Sequence, residues 1–225
     1  WSFHTIPRPG EFGYETWPKD AWKYSGAANN WAGMSLDEER GLLFVPTGSA
    51  AFDFYGANRL GDNLFANSLI ALKAETGKRV WHFQAVHHGL WDYDFPTAGN
   101  LLDIVVDGHE VKVIAQPSKQ AFTYVLDRIT GEPVWPIEEK PVPRGNVPGE
   151  WYSPTQPFPS KPAPFDLQGI GVDDLIDFTP ELRAEALRIV DRAQLGPIFS
   201  PPPVRGQEKP IIQSPGPGGG VNWPG

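Results

Sequence analysis

The sequence predicts an all-β chain laid out as part of a β-propeller, and three observations carry that prediction. First, Leu72-Lys-Ala-Glu-Thr-Gly-Lys-Arg-Val-Trp81 and Leu126-Asp-Arg-Ile-Thr-Gly-Glu-Pro-Val-Trp135 align without a gap, 54 residues apart from Leu72 to Leu126. Each copy reads as a short apolar strand, a Thr-Gly turn and a second strand ending in Trp, a hairpin whose indole is suited to dock on the neighbouring unit. Trp1-Ser-Phe matches the tail of an earlier copy. Second, further strand signals fill the interval: Gly41 to Thr47, Leu101 to Val106, and His109 to Gln116, the last two joined by Asp107-Gly108, a strong type I′ hairpin signal. Third, nine Trp and 25 Pro are far above ordinary usage and indicate aromatic anchors between rigid loops instead of a helical bundle. Repeats of about 40 to 55 residues with roughly four strands each are propeller blades, so the chain spans about three of them.

The remaining elements follow in order. Pro density rises from Pro141 to Pro164, and residues 141–178 read as a long Pro-rich excursion within the domain. One short helix comes next. Thr179-Pro180-Glu181 supplies an N-cap, an N1 proline and an acidic first turn; Leu182, Ala186, Ile189, Val190 and Ala193 form one apolar stripe, and Gly196-Pro197 ends it. Ile198 to Gly225 reads as Pro/Gly-rich irregular connection. An open arc of blades cannot close on itself, so residues 1–225 are expected to be an internal stretch of a longer protein.

Composition removes several function classes. Net charge is −8 with Lys and Arg scattered singly, which excludes the electrostatic footprint of a nucleic-acid binder. The absence of cysteine removes disulfides, thiolate metal sites and cysteine nucleophiles together. Gly48-Ser49-Ala50 is not a nucleophile elbow, and no Gly-rich phosphate loop precedes a helix. Apolar runs stay well short of the roughly 18 residues of a membrane span.

The densest polar and aromatic cluster is Val86-His-His-Gly-Leu-Trp-Asp-Tyr-Asp-Phe-Pro96, in a loop after the Trp-terminated strand. An aspartate between Trp91 and Tyr93 is placed for partial desolvation and hence for tuning as a base. Asp92 and Asp94 equally suit turn caps, and His87 and His88 ordinary polar loop positions. Lys119 follows an apolar strand and is placed to meet an anionic ligand, or to be a solvated lysine. Trp31, flanked by small residues in Ala27 to Met34, presents either an indole face to a planar ligand or a core anchor. His87-His88 lacks the spacing of a zinc pair, and Asp92 with Asp94 is too small a carboxylate set to specify calcium.

Taken together, Asn30 to Asp37, Gly56 to Arg59, Thr76 to Trp81, Val86 to Asp92, Pro141-Val-Pro with Pro154 to Phe158, and Gly196 to Pro202 resemble the pyrroloquinoline quinone (PQQ)-dependent dehydrogenases, nearest to the membrane-bound glucose dehydrogenase type. That resemblance implies an eight-bladed propeller holding PQQ beside a divalent metal, Ca²⁺ or Mg²⁺, with a lanthanide also compatible. It implies that Asp92 is the general base and touches the metal, that Trp31 stacks on the PQQ plane, and that Lys119 stands by the quinone carbonyl. It further implies a sugar or alcohol substrate, a membrane quinone as electron acceptor, and a periplasmic location with any anchor outside these residues. Two positions depart from the family pattern: Gly89 replaces an aspartate beside the base, and Ser49 stands where methanol dehydrogenases use an asparagine metal ligand. Two other classes remain: a cofactor-free repeat propeller acting as a cell-envelope scaffold, and a calcium-binding structural propeller.

Overall fold

The computed structural model describes residues 1–206 and 208–222. Strands β1 (Ser35–Asp37), β2 (Leu42–Pro46), β3 (Ser68–Lys73) and β4 (Arg79–Gln84) form a four-stranded antiparallel meander in that order. Strands β5 (Asn100–Val106), β6 (His109–Pro117) and β7 (Thr123–Asp127) form a second, three-stranded meander. Asp107 and Gly108 both have positive φ, 49° and 81°, so the β5–β6 turn has the backbone that its sequence predicts. The fourth position of the second sheet is reduced to a bridge, Leu126 to Pro133, and one hydrogen bond from Val134 N–H to Val125 O at 3.0 Å. Pro133 and Pro136 lack amide protons, and the ladder stops between them.

The two copies of the repeat form the same hairpin. Gly77 N–H bonds Lys73 O and Gly131 N–H bonds Asp127 O, each at 2.8 Å, and both glycines are left-handed, with φ of 68° and 80°. Their indole contacts also match. Trp81 lies over Gly131 and donates from Nε1 to Arg128 O at 3.2 Å; Trp1 lies over Gly77 and donates to Ala74 O at 2.9 Å. In both cases the acceptor sits three residues before the glycine. A Cβ on Gly131 would come 2.6 Å from the Trp81 ring, so the indole docks only where no side chain stands. Arg128 adds an ion pair to Asp37 of β1 at 3.0 Å, joining the sheets a second time.

The main core lies between the two sheets. Phe44, Leu69 and Trp81 face Ile114, Tyr124 and Leu126, and Leu90, Trp91, Tyr93 and Phe95 of the β4–β5 connection are buried with them. That connection is core material, not a surface loop, which is what fixes its polar residues.

The rest of the chain wraps this core. Within the Pro-rich stretch, β9 (Thr155–Pro159) pairs with β8 (Ile137–Pro141), and the intervening loop folds back onto the first sheet's connections. Helix α1 (Pro180–Val190) starts as predicted, with Thr179 Oγ1 accepting from Leu182 N–H. It ends six residues before Gly196, because Gly196–Pro197 is used as β11, paired with β10 (Gly169–Ile170). The apolar stripe covers no core: no residue of the helix is buried. Gln207 and the final Trp223-Pro-Gly225 of the predicted irregular tail lie outside the described residues.

Gly131→Ala is expected to lower the stability of the whole protein by on the order of 2–4 kcal/mol, from left-handed strain plus displacement of the indole. Trp81→Phe keeps the ring and loses one hydrogen bond, for about 1 kcal/mol beyond the change in ring size. Denaturant unfolding of the two variants checks the ranking.

Candidate functional site

The loop from Val86 to Pro96 is held from many directions. Gln156, on β9, clamps the His87 backbone, accepting its N–H at 2.8 Å and donating to its C=O at 2.7 Å. Trp91 Nε1 donates to Ser200 O at 2.9 Å and Tyr93 OH to Pro215 O at 2.7 Å. Asn67 Nδ2 donates to Tyr93 O at 3.0 Å, and Lys119 N–H to Asp94 O at 3.1 Å. The indole and phenol are drawn inward, so the intervening Asp92 turns toward the opposite side, with its backbone left-handed at φ 58°.

Three charged groups meet there. The Lys119 ammonium donates to Asp92 Oδ2 and to Asp94 Oδ2, each at 3.0 Å. Asp94 Oδ1 accepts Ser49 N–H at 2.5 Å. Lys119 is only 5% exposed, which rules out the solvated-lysine reading, and its Nζ stands 5.8 Å from the Trp31 ring centroid. Trp31 is 39% exposed and therefore not a core anchor. The geometry thus brings together all three residues singled out in the sequence.

Burial and then the neighbouring Asp94 charge push the Asp92 pKa from 3.8 up to about 6, against the pull of Lys119. Burial works to lower Lys119, but Asp94 and Asp92 outweigh it and raise its pKa. A pair of opposite charges about 3 Å apart attracts by on the order of 5 kcal/mol at an effective dielectric near 20, before desolvation. Two such partners keep the buried ammonium charged.

Several residues that frame this cluster gave little or no signal in sequence. Gly48, just past β2, stands where a Cβ would come 3.0 Å from both Trp31 Nε1 and Asp94 Oδ1, so a side chain there would crowd the indole and the carboxylate. Asn67, left-handed at φ 48°, links Ser49 Oγ to Tyr93 O. Its Oδ1 lies 2.7 Å from where a Gly89 Cβ would be, so any side chain at position 89 would require Asn67 to shift. Gly219 and Gly220 lie against Lys119 and Ala121, and Gly220 N–H bonds Lys119 O at 3.0 Å. The run Gly218-Gly219-Gly220 was the available signal for this close approach.

A partly exposed indole with an ammonium 5.8 Å from its ring centroid fits a planar ligand that carries an acceptor oxygen toward Lys119. For a metal, Asp92, Asp94 and the neutral Ser49 hydroxyl are the nearby oxygens; among the described residues no group of three or more His, Cys, Asp and Glu side chains gathers. This chain by itself therefore offers a metal an incomplete donor set.

Comparisons with known proteins identify the family. The family model described as "PQQ: Glucose/ethanol/alcohol dehydrogenase, beta-propeller domain" matches residues 1–225. The glycerol dehydrogenase large subunit of Gluconobacter thailandicus is 37% identical over 201 residues, covering 88% of this chain and 27% of that protein. The quinoprotein glucose dehydrogenase of Escherichia coli K12 is 41% identical over 160 residues, covering 70% of this chain and 20% of that protein. A solved europium-containing methanol dehydrogenase superposes with a TM-score of 0.51 at 29% identity, over 59% of this chain and 24% of that one. The chain thus spans about a quarter of the length of these relatives. The two meander sheets are blades of a β-propeller, and the chain belongs to the PQQ-dependent glucose, ethanol and alcohol dehydrogenase family.

Proposed function

We propose that the protein containing this chain oxidises a hydroxyl group of a sugar or an alcohol with PQQ as its cofactor. The observation that carries the reading is the Asp92–Lys119–Trp31 arrangement: a carboxylate of raised pKa, a buried ammonium bonded to it and an open indole face beside both. A scaffold propeller needs the indole docking between blades and has no use for these three groups together.

In this reading Trp31 lies against the cofactor plane and sets its height, and Gly48 admits the close approach. Bound there, PQQ would supply the two-electron acceptor for the hydrogen leaving the substrate carbon. Asp92 takes the hydroxyl proton on a carboxylate oxygen; a base with pKa near 6 is ionised at neutral pH yet more basic than a free aspartate. Lys119 orients that carboxylate and presents a fixed positive charge where negative charge develops on oxygen. Ca²⁺, Mg²⁺ or a lanthanide would share Asp92, with Asp94 as a second carboxylate and further oxygens from elsewhere in the protein. A membrane quinone as final electron acceptor and a periplasmic location belong to the same reading, by similarity to the glucose dehydrogenase type.

Three outcomes are expected. PQQ added with Ca²⁺ to the whole protein quenches tryptophan fluorescence saturably, and Trp31→Phe weakens the binding; no saturable binding by the whole protein would favour the scaffold. Asp92→Asn lowers kcat by at least about 100-fold while PQQ remains bound, and Lys119→Ala lowers both rate and PQQ affinity, the rate by roughly 10². In the ligand-free protein, carboxyl NMR finds Asp92 titrating near 6, and Lys119→Met moves the midpoint higher because the ammonium holds it down. The sign for stability follows. Folding favours the protonated form, so the stabilisation present below about pH 4 fades as pH rises through 6.

A further inference from the structure

A second buried polar network touches neither Trp31, Lys119 nor the two carboxylates, yet closes on the loop that bears Asp92. Arg59 is 0% exposed. Its Nη1 donates to Asn63 Oδ1 at 2.7 Å, and its Nη2 donates to the carbonyls of Phe52 at 2.8 Å and Gly89 at 2.7 Å. Burial lowers its pKa to about 10, with Glu150 and Asp53 resisting, so the guanidinium stays charged at neutral pH. A buried cation whose donors go to neutral oxygens is costly, and an apolar side chain would fill the same volume more cheaply. What the cation does that an apolar group cannot do is tie Gly89 O to Asn63 and to Phe52 O through one rigid fork.

The other arm comes from the Pro-rich loop between β8 and β9. Glu150 reaches in to sit 2.9 Å from His88 Nε2, and accepts Gly56 N–H at 2.6 Å and Trp151 N–H at 3.0 Å. His88 Nδ1 lies 2.8 Å from Gly61 O, and the Trp151 ring stands edge-on to the imidazole, centroids 5.0 Å apart. A Cβ on Gly56 would come 2.6 Å from His88 Nε2, so glycine lets the 56–61 segment press against this histidine.

The two arms grip consecutive residues, His88 through its side chain and Gly89 through its carbonyl. His88 and Asp92 are both left-handed, at φ 49° and 58°, and such backbones persist where surrounding contacts over-determine them. Leu90 and Trp91, between them, are packed in the core. The anchored pair therefore sets the direction in which the chain leaves toward Asp92.

We infer that Arg59 and Glu150 are positioning residues for Asp92: together they clamp the His88–Gly89 turn and fix where the carboxylate stands. The inference rests on the reading of Asp92 as the base. It gives the loop between β8 and β9 a part in the chemistry although no residue of that loop touches the Asp92–Lys119 cluster.

The test uses Arg59→Lys, Glu150→Gln and Glu150→Ala in the whole protein, read by amide hydrogen exchange without cofactor, by PQQ titration and by steady-state kinetics, with Asp92→Asn alongside. Arg59→Lys keeps the charge and loses the fork. It is expected to speed exchange across residues 87–93 by about 10-fold or more and to lower kcat by roughly 10- to 100-fold, with KM and PQQ affinity within about threefold. Glu150→Ala is expected to do the same, and Glu150→Gln, which retains an acceptor for Gly56 N–H, to recover part of both effects. Exchange and kcat that stay at wild-type values in Arg59→Lys and Glu150→Ala overturn the inference. So does a fall in kcat without local exchange, or exchange that rises evenly along the chain with the unfolding midpoint. Full activity of Asp92→Asn would instead remove the base assignment, a result independent of the exchange data.

Discussion

Each indole resting on the Thr-Gly turn of the next repeat sets the rotation and distance between neighbouring sheets, and the remaining features inherit that geometry. The contact requires two things at one spot: a left-handed turn with no side chain, and a carbonyl three residues earlier aimed at the indole nitrogen. With the sheets so fixed, the space between them is filled by the β4–β5 connection, whose Leu90, Trp91, Tyr93 and Phe95 complete the core. A segment that would otherwise be a mobile surface loop becomes rigid, and its one partly open acidic residue is Asp92. Preorganisation of the Asp92 carboxylate is thus a by-product of core packing between blades.

Electrostatics in the site balance unevenly. Two carboxylates share one ammonium, so full ionisation leaves an excess negative charge in a partly buried place, and a proton on Asp92 removes it. Asp94, tied to Ser49 N–H and Lys119, is the better satisfied of the two. Asp92, raised by burial and by the Asp94 charge against the pull of Lys119, is thus poised to exchange a proton near neutral pH.

Much of this was legible in the residues because the signals are local. The Thr-Gly/Trp repeat, the Asp107-Gly108 turn and the Thr179 cap each depend on a few neighbouring side chains, and each is present in the structure. The grouping of Trp31, Asp92 and Lys119 was legible through family likeness; spacing alone could not bring residues 61 and 27 positions apart into one cluster. Arg59 was visible only as part of the Gly56 to Arg59 likeness, and Asn67 and Glu150 not at all, because the contacts that give them their place run largely to groups of distant segments, which leave no pattern in the chain. The amphipathic period of α1 was real, yet periodicity describes a helix face and not what covers it. Prolines 133 and 136 weakened a strand that the repeat alone led one to expect.

Lys119 lies in the turn between β6 and β7 of the second sheet, whereas Asp92 and Asp94 lie in the connection that leaves the first and Trp31 precedes it. The cluster straddles one seam between repeats, and every residue it joins lies within a single pair of adjacent blades. Such an arrangement is inheritable as a cassette. Divergence of more distant blades can remodel what surrounds the site while Asp92 and its cation stay together, provided the later segments that brace the Asp92 loop, Gln156 and Glu150 among them, travel with the pair; any event that separates the pair dismantles both at once.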